Sequence, residues 1–270
     1  MRGVLLRHML AVTAALACAT MASAQASADG DPAASDPVGI VTDLCPVHPQ
    51  PTTPDGWRLW GLHMMTHDFG QICRYHAANA ALAAQGKPIR VIFFGDSITD
   101  NWINLEPSLF TPGIVDRGIS GQTTAQMLVR FREDVIALHP AAVHILAGTN
   151  DIAGNTGAAT LEIVEGNIQT MAELARAHGI RVMLASTLPA AAFPWAHDKR
   201  PAPTIVALNR WLRDYAAHNG FTYVDYYPAL ADAAGGMKPG LSSDGVHPTT
   251  AGYAVMKPIA TAAIAQLSKR

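Results

Sequence analysis

From residue 89 onward, short apolar runs alternate with longer amphipathic segments, and this alternation most constrains the fold. Five short, mainly apolar runs predict buried strands at 90–94, 113–118, 142–147, 181–186 and 221–225. Helical spacing of apolar residues predicts helices at 124–138, 161–178, 203–218 and 251–267. Short buried strands separated by helices are typical of a parallel sheet that is covered on both faces. The sequence therefore predicts a three-layer α/β/α sandwich with a central five-stranded parallel sheet.

The first 24 residues have the pattern of a secretory signal peptide. Two arginines precede an apolar run over 9–21, which ends in small residues with a predicted cleavage site after Ala24. A buried N-terminal helix is the alternative, and the run is shorter than the ~20 residues that a membrane span needs. We therefore expect an exported protein, periplasmic or extracellular, without a transmembrane segment.

A lipid anchor at Cys18 is a second possibility for the same segment. The residues before Cys18 resemble a lipoprotein processing box, in which the cysteine is acylated, but Ala15 stands where a larger aliphatic residue is usual. Simple cleavage is therefore favoured over lipidation.

The segment that follows the leader predicts a linker and then helices. Residues 25–55 are rich in Ala, Ser, Asp and Pro without a regular period, which predicts a flexible linker or an arm on the surface. Residues 56–270 form the predicted domain, in which 56–88 are a helical extension before the first strand. Cys45 and Cys73 remain after the leader is removed, and in an oxidising compartment a disulfide is favoured over two free thiols.

Composition bears on nucleic-acid and metal binding. The chain has 19 Lys and Arg against 21 Asp and Glu, a net charge of −2 without a basic stripe, so no nucleic-acid partner is expected. His63 and His67 are four residues apart, but Met64 occupies the place of the glutamate in a His-Glu-x-x-His zinc helix. We therefore interpret this pair as a polar helix surface and expect neither a metal nor a cofactor.

Four polar clusters directly follow predicted strands or precede the last helix. In parallel α/β folds, ligands bind beyond the carboxyl ends of the strands, so these clusters should share one edge of the sheet. Individually, Ser97 could cap a helix, Asn150 and Asp244 could form turns, and His247 could be an ordinary loop residue. Their coincidence favours catalysis, with Asp96 and Asp151 as structural residues. The clusters are Gly95–Thr99, Gly118–Thr123, Gly148–Asp151 and Ser243–Pro248.

Four motifs occur in order over residues 89–267: Gly-Asp-Ser, a loop glycine, Gly-x-Asn-Asp and Asp-x-x-His. This ordered set resembles the SGNH hydrolases, also called the GDSL esterase/lipase family. The resemblance implies their flavodoxin-like fold, with Ser97 as nucleophile, His247 as general base and Asp244 orienting the imidazole. It also implies an oxyanion hole formed by the backbone N–H groups of Ser97 and Gly121 and the side-chain amide of Asn150. These roles suit acyl transfer, because a serine hydroxyl needs a base and the developing oxyanion needs donors. The Gly-x-Ser-x-Gly elbow of α/β-hydrolases is absent.

Substrate preference is inferred from the segment after the fourth strand and from the resemblance. Phe193 and Trp195 should overhang the same edge, where they could stack on a sugar, pack an acyl chain or only hold the loop. Similar exported family members often remove acetyl or other short acyl groups from carbohydrates, so the leading expectation is a short-chain, acetyl-type esterase acting on a small-molecule or carbohydrate ester. A lipase, lysophospholipase or thioesterase for longer chains is the alternative. A non-catalytic carbohydrate-binding SGNH domain is disfavoured by the intact Ser97, Asn150, Asp244 and His247.

Overall fold

The computed structural model describes residues 30–42, 44–46 and 51–267. The predicted signal peptide at 1–24 and the candidate anchor Cys18 lie outside the described residues. Five parallel strands form one sheet in the order β2-β1-β3-β4-β5, which is the flavodoxin-like doubly wound order. The predicted five-stranded parallel sheet is confirmed. The strands are β1 Val91–Gly95, β2 Ile114–Gly118, β3 Ala142–Leu146, β4 Arg181–Ala185 and β5 Thr222–Val224.

Helices precede, connect and follow the strands. They are α1 (Pro54–Thr66), α2 (His76–Gln85), α3 (Ser97–Asp100), α4 (Trp102–Leu105), α5 (Thr124–Asp134), α6 (Thr149–Ala153), α7 (Leu161–Ala177), α8 (Ala202–Asn219), α9 (Tyr227–Leu230) and α10 (Thr250–Leu267). The helix predicted over 124–138 ends at Asp134, and a 3-10 turn covers Ile136–Leu138. The chain leaves this turn through His139, which is left-handed (φ 48°) just before Pro140, and then enters β3.

Both faces of the sheet are covered by apolar side chains. In β1, Ile92 and Phe94 belong to the core with α5, α7 and α8, whereas Val91 and Phe93 belong to the core with α4, α9 and α10. All five residues of β1 are buried. Continuous apolar strands are expected where helices cover both faces of a parallel sheet. This two-sided burial fixes the strand ends that carry the polar clusters.

The N-terminal segment is held against the helical extension. Helix α1 begins after Thr53, whose Oγ1 accepts a hydrogen bond from the Gly56 backbone N–H at 3.1 Å. Cys45 and Cys73 form a disulfide, as the sequence favours. Among the described residues, no helix combines the length and the hydrophobicity that a membrane span requires.

The interpretation of His63 as part of a polar helix surface is wrong. Its side chain is only 6% exposed, and Nδ1 lies 3.2 Å from Oδ2 of Asp36 in the N-terminal segment. The segment covers this face of α1, and a helical pattern alone cannot show such a contact. His67, one turn later, is exposed as expected.

Candidate active site

The four polar clusters meet at one cleft at the carboxyl ends of the strands. Ser97 follows β1, Gly121 follows β2, Asn150 follows β3, and His247 lies in the loop before α10. The cleft has a volume of 340 Å³. It is lined by Ser97, Asn101, Ser120, Gly121, Asn150, Asn155, Trp195 and His247. The sheet topology therefore brings together groups that are up to 150 residues apart in sequence.

Ser97 is the first residue of α3, directly beyond β1. Asp96 caps this short helix, since its Oδ1 accepts a hydrogen bond from the Ile98 N–H at 2.9 Å. Gly118, at the end of β2, lets α3 approach closely, because a Cβ there would clash with the backbone nitrogen of Asp100. The cap and the close approach together hold Ser97 at the floor of the cleft.

His247 bridges Ser97 and Asp244. Its Nε2 lies 2.9 Å from Ser97 Oγ, and its Nδ1 lies 2.6 Å from Asp244 Oδ2. The other carboxylate oxygen of Asp244 accepts hydrogen bonds from the backbone N–H groups of Val246 at 2.9 Å and of His247 at 2.8 Å. The three-residue spacing thus lets one turn hold both the carboxylate and the imidazole.

The charge of Asp244 is maintained by this turn. Partial burial by itself would raise its pKa, but the hydrogen bonds from the His247 ring and from the backbone N–H groups of His247 and Val246 outweigh burial. Together they lower the pKa of Asp244 to about 2. Asp244 is therefore a carboxylate at neutral pH, which holds the proton of a neutral His247 on Nδ1 and leaves the lone pair of Nε2 directed toward Ser97.

Amide groups line the side of the cleft next to Ser97. Asn150 is buried, its Nδ2 donates to Gln122 O at 3.0 Å, and its Oδ1 accepts from Asn155 Nδ2 at 2.9 Å. Gly121 has a φ of +82°, a left-handed conformation that favours glycine. The loop that carries Gly121 is tied to α3, because Asp100 Oδ2 accepts hydrogen bonds from the Ser120 N–H at 3.2 Å and hydroxyl at 2.7 Å.

Asp96 and Asp151 make the structural contacts that the sequence predicts. The carboxylate of Asp151 accepts hydrogen bonds from the Thr124 N–H and hydroxyl, which joins α6 to α5. Burial raises the pKa of Asp151, against these hydrogen bonds. Burial likewise raises the pKa of Asp96 to about 7, although the Ile98 N–H and the nearby His247 oppose the shift.

Arg130 supports the cleft from below, and sequence reasoning missed it. This fully buried side chain donates to the carbonyl oxygens of Gly95 and Arg117, at the ends of β1 and β2, both at 2.9 Å. Its charge is paired with Asp134 at 2.9 Å. The signal in the sequence was an arginine three residues after Met127, on the core-facing stripe of α5. An uncompensated charge is too costly there, so a partner is required.

The aromatic segment after β4 is divided between core and cleft. Phe193 is completely buried, so the prediction that its ring contacts substrate is wrong. Phe193 instead supports Trp195, because the two rings stack at a centroid distance of 5.3 Å. Trp195 is 43% exposed, and its ring centroid lies 5.8 Å from that of His247. Its Nε1 donates to Asn155 Oδ1 at 3.1 Å. Asn155 was also missed, because a lone polar loop residue carries no pattern.

The carboxyl edge of this doubly wound sheet brings together a serine, an imidazole and a carboxylate, with amide groups beside the serine. This arrangement defines the SGNH class of hydrolase. Residues 93–255, more than half of the chain, match the model of the GDSL-like Lipase/Acylhydrolase family. The chain therefore belongs to this family of serine ester hydrolases.

Solved structures with this fold support the assignment. The chain is 47% identical to a proposed acylhydrolase from Bacteroides fragilis, with a TM-score of 0.71 over 74% of this chain and 98% of that one. It is 46% identical to a GDSL-like lipase from Bacteroides thetaiotaomicron, with a TM-score of 0.69 over 73% and 98%. An acetyl-xylooligosaccharide esterase from Geobacillus is 22% identical, with a TM-score of 0.55 over 65% and 93%, and shares the fold.

A curated relative is similar over a shorter stretch. An uncharacterized lipoprotein from Bacillus subtilis is 30% identical over 117 residues, which are 37% of this chain and 48% of the relative. The chain thus spans about half the length of this relative.

Proposed function

We propose that this protein is an exported serine esterase that removes short acyl groups, acetyl above all, from carbohydrates. The observation that carries the proposal is the continuous chain of contacts from Ser97 Oγ through His247 to Asp244, at 2.9 and 2.6 Å. Ser97 is the nucleophile, His247 the general base, and Asp244 the residue that orients the imidazole. No cofactor takes part in this scheme.

The reaction proceeds in two acyl transfers. Ser97 Oγ attacks the ester carbonyl carbon while His247 Nε2 takes the hydroxyl proton. The negative charge that develops on the carbonyl oxygen is met by the N–H groups of Ser97 and Gly121 and by Asn150 Nδ2. The alcohol leaves with the proton from His247, and an acyl group remains on Ser97. Water, deprotonated by His247, then attacks the acyl group, and His247 returns the proton to Ser97 Oγ as the carboxylic acid leaves.

The size and lining of the cleft favour a short acyl group. The cleft has a volume of 340 Å³, and apart from Trp195 no residue that lines it carries a large apolar side chain. The segment before Trp195 begins with three alanines at 190–192, which offer little apolar bulk. A fatty acyl chain needs a longer apolar groove, because each buried methylene contributes about 0.8 kcal/mol.

The carbohydrate part of the proposal rests on Trp195. Its ring is exposed beside His247 and is held by Phe193 below it and by Asn155 at Nε1. A fixed, exposed aromatic face next to a catalytic base suits the apolar face of a sugar ring. The likeness in fold to a protein described as an acetyl-xylooligosaccharide esterase agrees with this assignment.

Activity on p-nitrophenyl esters of increasing acyl length tests the acyl preference. We expect kcat/KM to peak at about two to four acyl carbons and then to decline, because longer chains gain no further apolar contact. The Ser97→Ala variant, assayed in parallel, gives the background of uncatalysed hydrolysis. A maximum at about eight carbons or more would instead favour the lipase or thioesterase alternative, which the GDSL-like lipase relative represents.

The Trp195→Ala variant tests the carbohydrate part within the same assay. Removal of the ring should lower kcat/KM for acetylated xylo-oligosaccharides much more than for p-nitrophenyl acetate. An equal loss on both substrates would mean that Trp195 only supports the loop and His247.

Export is part of the proposal. The leader pattern at 1–24 supports it, as does the Cys45–Cys73 disulfide, since disulfides persist in oxidising compartments. The Bacillus subtilis relative is named a lipoprotein, which keeps acylation at Cys18 as the alternative form of export. In this proposal, residues 25–55 connect the processed N-terminus to the domain at 56–270, with 56–88 as its helical extension.

A further inference from the structure

A group of polar side chains outside the Ser97 cleft lies where the N-terminal segment meets α1. Asp36, His63 and His67 each offer one ligand atom, and these three atoms lie within 4.8 Å of one another. The two histidine rings stack with their centroids 5.6 Å apart. All three side chains line a cavity of 270 Å³, and its described lining has no residue in common with the Ser97 cleft.

The ring of His67 is oriented by its neighbours. The Thr66 hydroxyl donates its proton to Leu62 O at 2.7 Å, and its oxygen lies 2.8 Å from His67 Nδ1. A hydroxyl has a single proton, so toward His67 it acts as the acceptor. Neutral His67 therefore carries its proton on Nδ1 and a lone pair on Nε2. Ligating histidines in metal sites are oriented in this way, by a hydrogen bond at the other ring nitrogen.

The other two side chains complete a mixed imidazole and carboxylate set. His63 is buried, and its Nδ1 lies 3.2 Å from Asp36 Oδ2. Two ligands of one tetrahedral zinc ion are about 3.3 Å apart, since Zn–N and Zn–O bonds are about 2.0–2.1 Å. Asp68 lines the same cavity and adds a second carboxylate.

We propose that Asp36, His63 and His67 bind a divalent transition metal, with zinc as the ion that best matches this donor set. Imidazole and carboxylate ligands suit zinc, and two histidines one helical turn apart can reach the same ion. The site joins the N-terminal segment to α1, close to the disulfide at Cys73, which lines the same cavity. Its role is to stabilise this junction, and the ester chemistry does not depend on it.

Calorimetric titration of the full chain, purified without a histidine tag, with zinc chloride tests the site. We expect one zinc ion per chain at micromolar affinity or tighter, and an increase in Tm when zinc is present, because the ion binds the folded state. The His67→Gln variant, at an exposed position that tolerates substitution, should weaken binding at least about tenfold and lose the Tm increase. Asp36→Asn should weaken binding in the same direction. His76→Gln, at an exposed position in α2, is the matched control and should behave as wild type.

Three results would overturn the metal site. These are no zinc binding by the wild type, unchanged binding in His67→Gln, or loss of binding in His247→Ala with His67→Gln unaffected. The last result would place the ion in the Ser97 cleft. Esterase activity measured with and without zinc reports separately on the proposed function, so failure of one proposal does not imply failure of the other.

Asn155 lies at the edge of the Ser97 cleft and makes hydrogen bonds to three other residues that line it. Its Nδ2 donates to Asn150 Oδ1 at 2.9 Å and to Gly121 O at 3.1 Å, and its Oδ1 accepts from Trp195. Asn150 Oδ1 is therefore held by Asn155, while one Nδ2 proton of Asn150 is held by Gln122 O. Asn150 Nδ2 also lies 3.4 Å from Asp96 Oδ2, a long hydrogen bond that a substrate oxygen would replace.

We infer, on the basis of the proposed function, that Asn155 is a positioning residue for the oxyanion donors Asn150 and Gly121. It touches both residues but supplies no group of its own to the reacting carbonyl. An interaction that acts only in the transition state lowers kcat and kcat/KM equally when it is lost. Asn155 should therefore affect the turnover of p-nitrophenyl acetate, which has no sugar for Trp195 to bind, and leave its KM unchanged.

Kinetics of Asn155→Ala on p-nitrophenyl acetate test this inference. We expect kcat to fall about 10- to 100-fold, less than for loss of a donor itself, with KM within about threefold and an unchanged Tm. Asn104→Ala, at an exposed position in α4, is the matched control and should retain wild-type kcat. Wild-type kcat in Asn155→Ala, or a rise in KM alone, would overturn the positioning role. If Ser97→Ala is inactive in the same assay, the proposed function still stands.

Discussion

The Ser97→Ala variant should lose ester hydrolysis by at least about 10⁴-fold while it folds as the wild type does. The change removes one hydroxyl whose described partner is His247, so packing is preserved and the nucleophile is lost. Initial rates on p-nitrophenyl acetate measure the loss, and thermal unfolding measures the fold. Activity within tenfold of wild type, in a variant with an unchanged Tm, would remove Ser97 from the mechanism.

The double variant of Ser97 and His247 tests whether the two residues act together. His247→Ala should be about as severe as Ser97→Ala, and the double variant should be hardly worse than either one, because the two residues act as one unit. Independent contributions would instead multiply. A double variant that loses the product of the two single effects would mean that the 2.9 Å contact has no catalytic role.

Asp244→Asn should lower kcat by about 10³- to 10⁴-fold, somewhat less than Ser97→Ala. The asparagine oxygen can still accept the hydrogen bonds from Val246 and His247 that close the turn, so its NH₂ group must face His247 Nδ1. Imidazole then has to accept at Nδ1 and carry its proton on Nε2, toward Ser97. In that tautomer the ring cannot take the serine proton.

The control for this tautomer effect is Asp244→Ala. Alanine removes the backbone hydrogen bonds together with the carboxylate, so it should disturb the loop as well as the ring. Comparable Tm values for wild type and Asp244→Asn, with a lower Tm for Asp244→Ala, would separate the chemical role from the structural one. Near wild-type kcat in Asp244→Asn would contradict the orienting role.

The strands could be predicted to within about one residue because their limits are set by local chemistry. Runs such as 142–147 are apolar and end at Gly148, and burial on both faces requires such runs. Polar residues at these ends were predicted to meet, since parallel strands place their carboxyl ends on one edge. This reasoning brought Ser97, Asn150 and His247 together without any knowledge of distances.

Side-chain burial could not be predicted where it depends on distant segments. Phe193 and Trp195 are two residues apart and chemically similar, but only Phe193 lies under the loop. His63 is covered by the N-terminal segment, whose irregular composition gives no indication of where it packs. The partners of Asn155 likewise come from three separate parts of the chain, namely α6, the loop after β2 and the segment after β4, and no sequence pattern relates them.

The short turn from Asp244 to His247 has a consequence for how this enzyme can be altered. The carboxylate and the imidazole are fixed to each other within four residues, whereas the serine is fixed to the sheet. Val246, inside this turn, is only 2% exposed and belongs to one apolar cluster with Phe193, after β4, and Ile205, in α8. The packing around Val246 therefore sets the position of the turn and the serine–imidazole distance, whereas the imidazole–carboxylate hydrogen bond is made within the turn itself. Substitutions in that apolar cluster can thus alter turnover without a change to any reacting side chain.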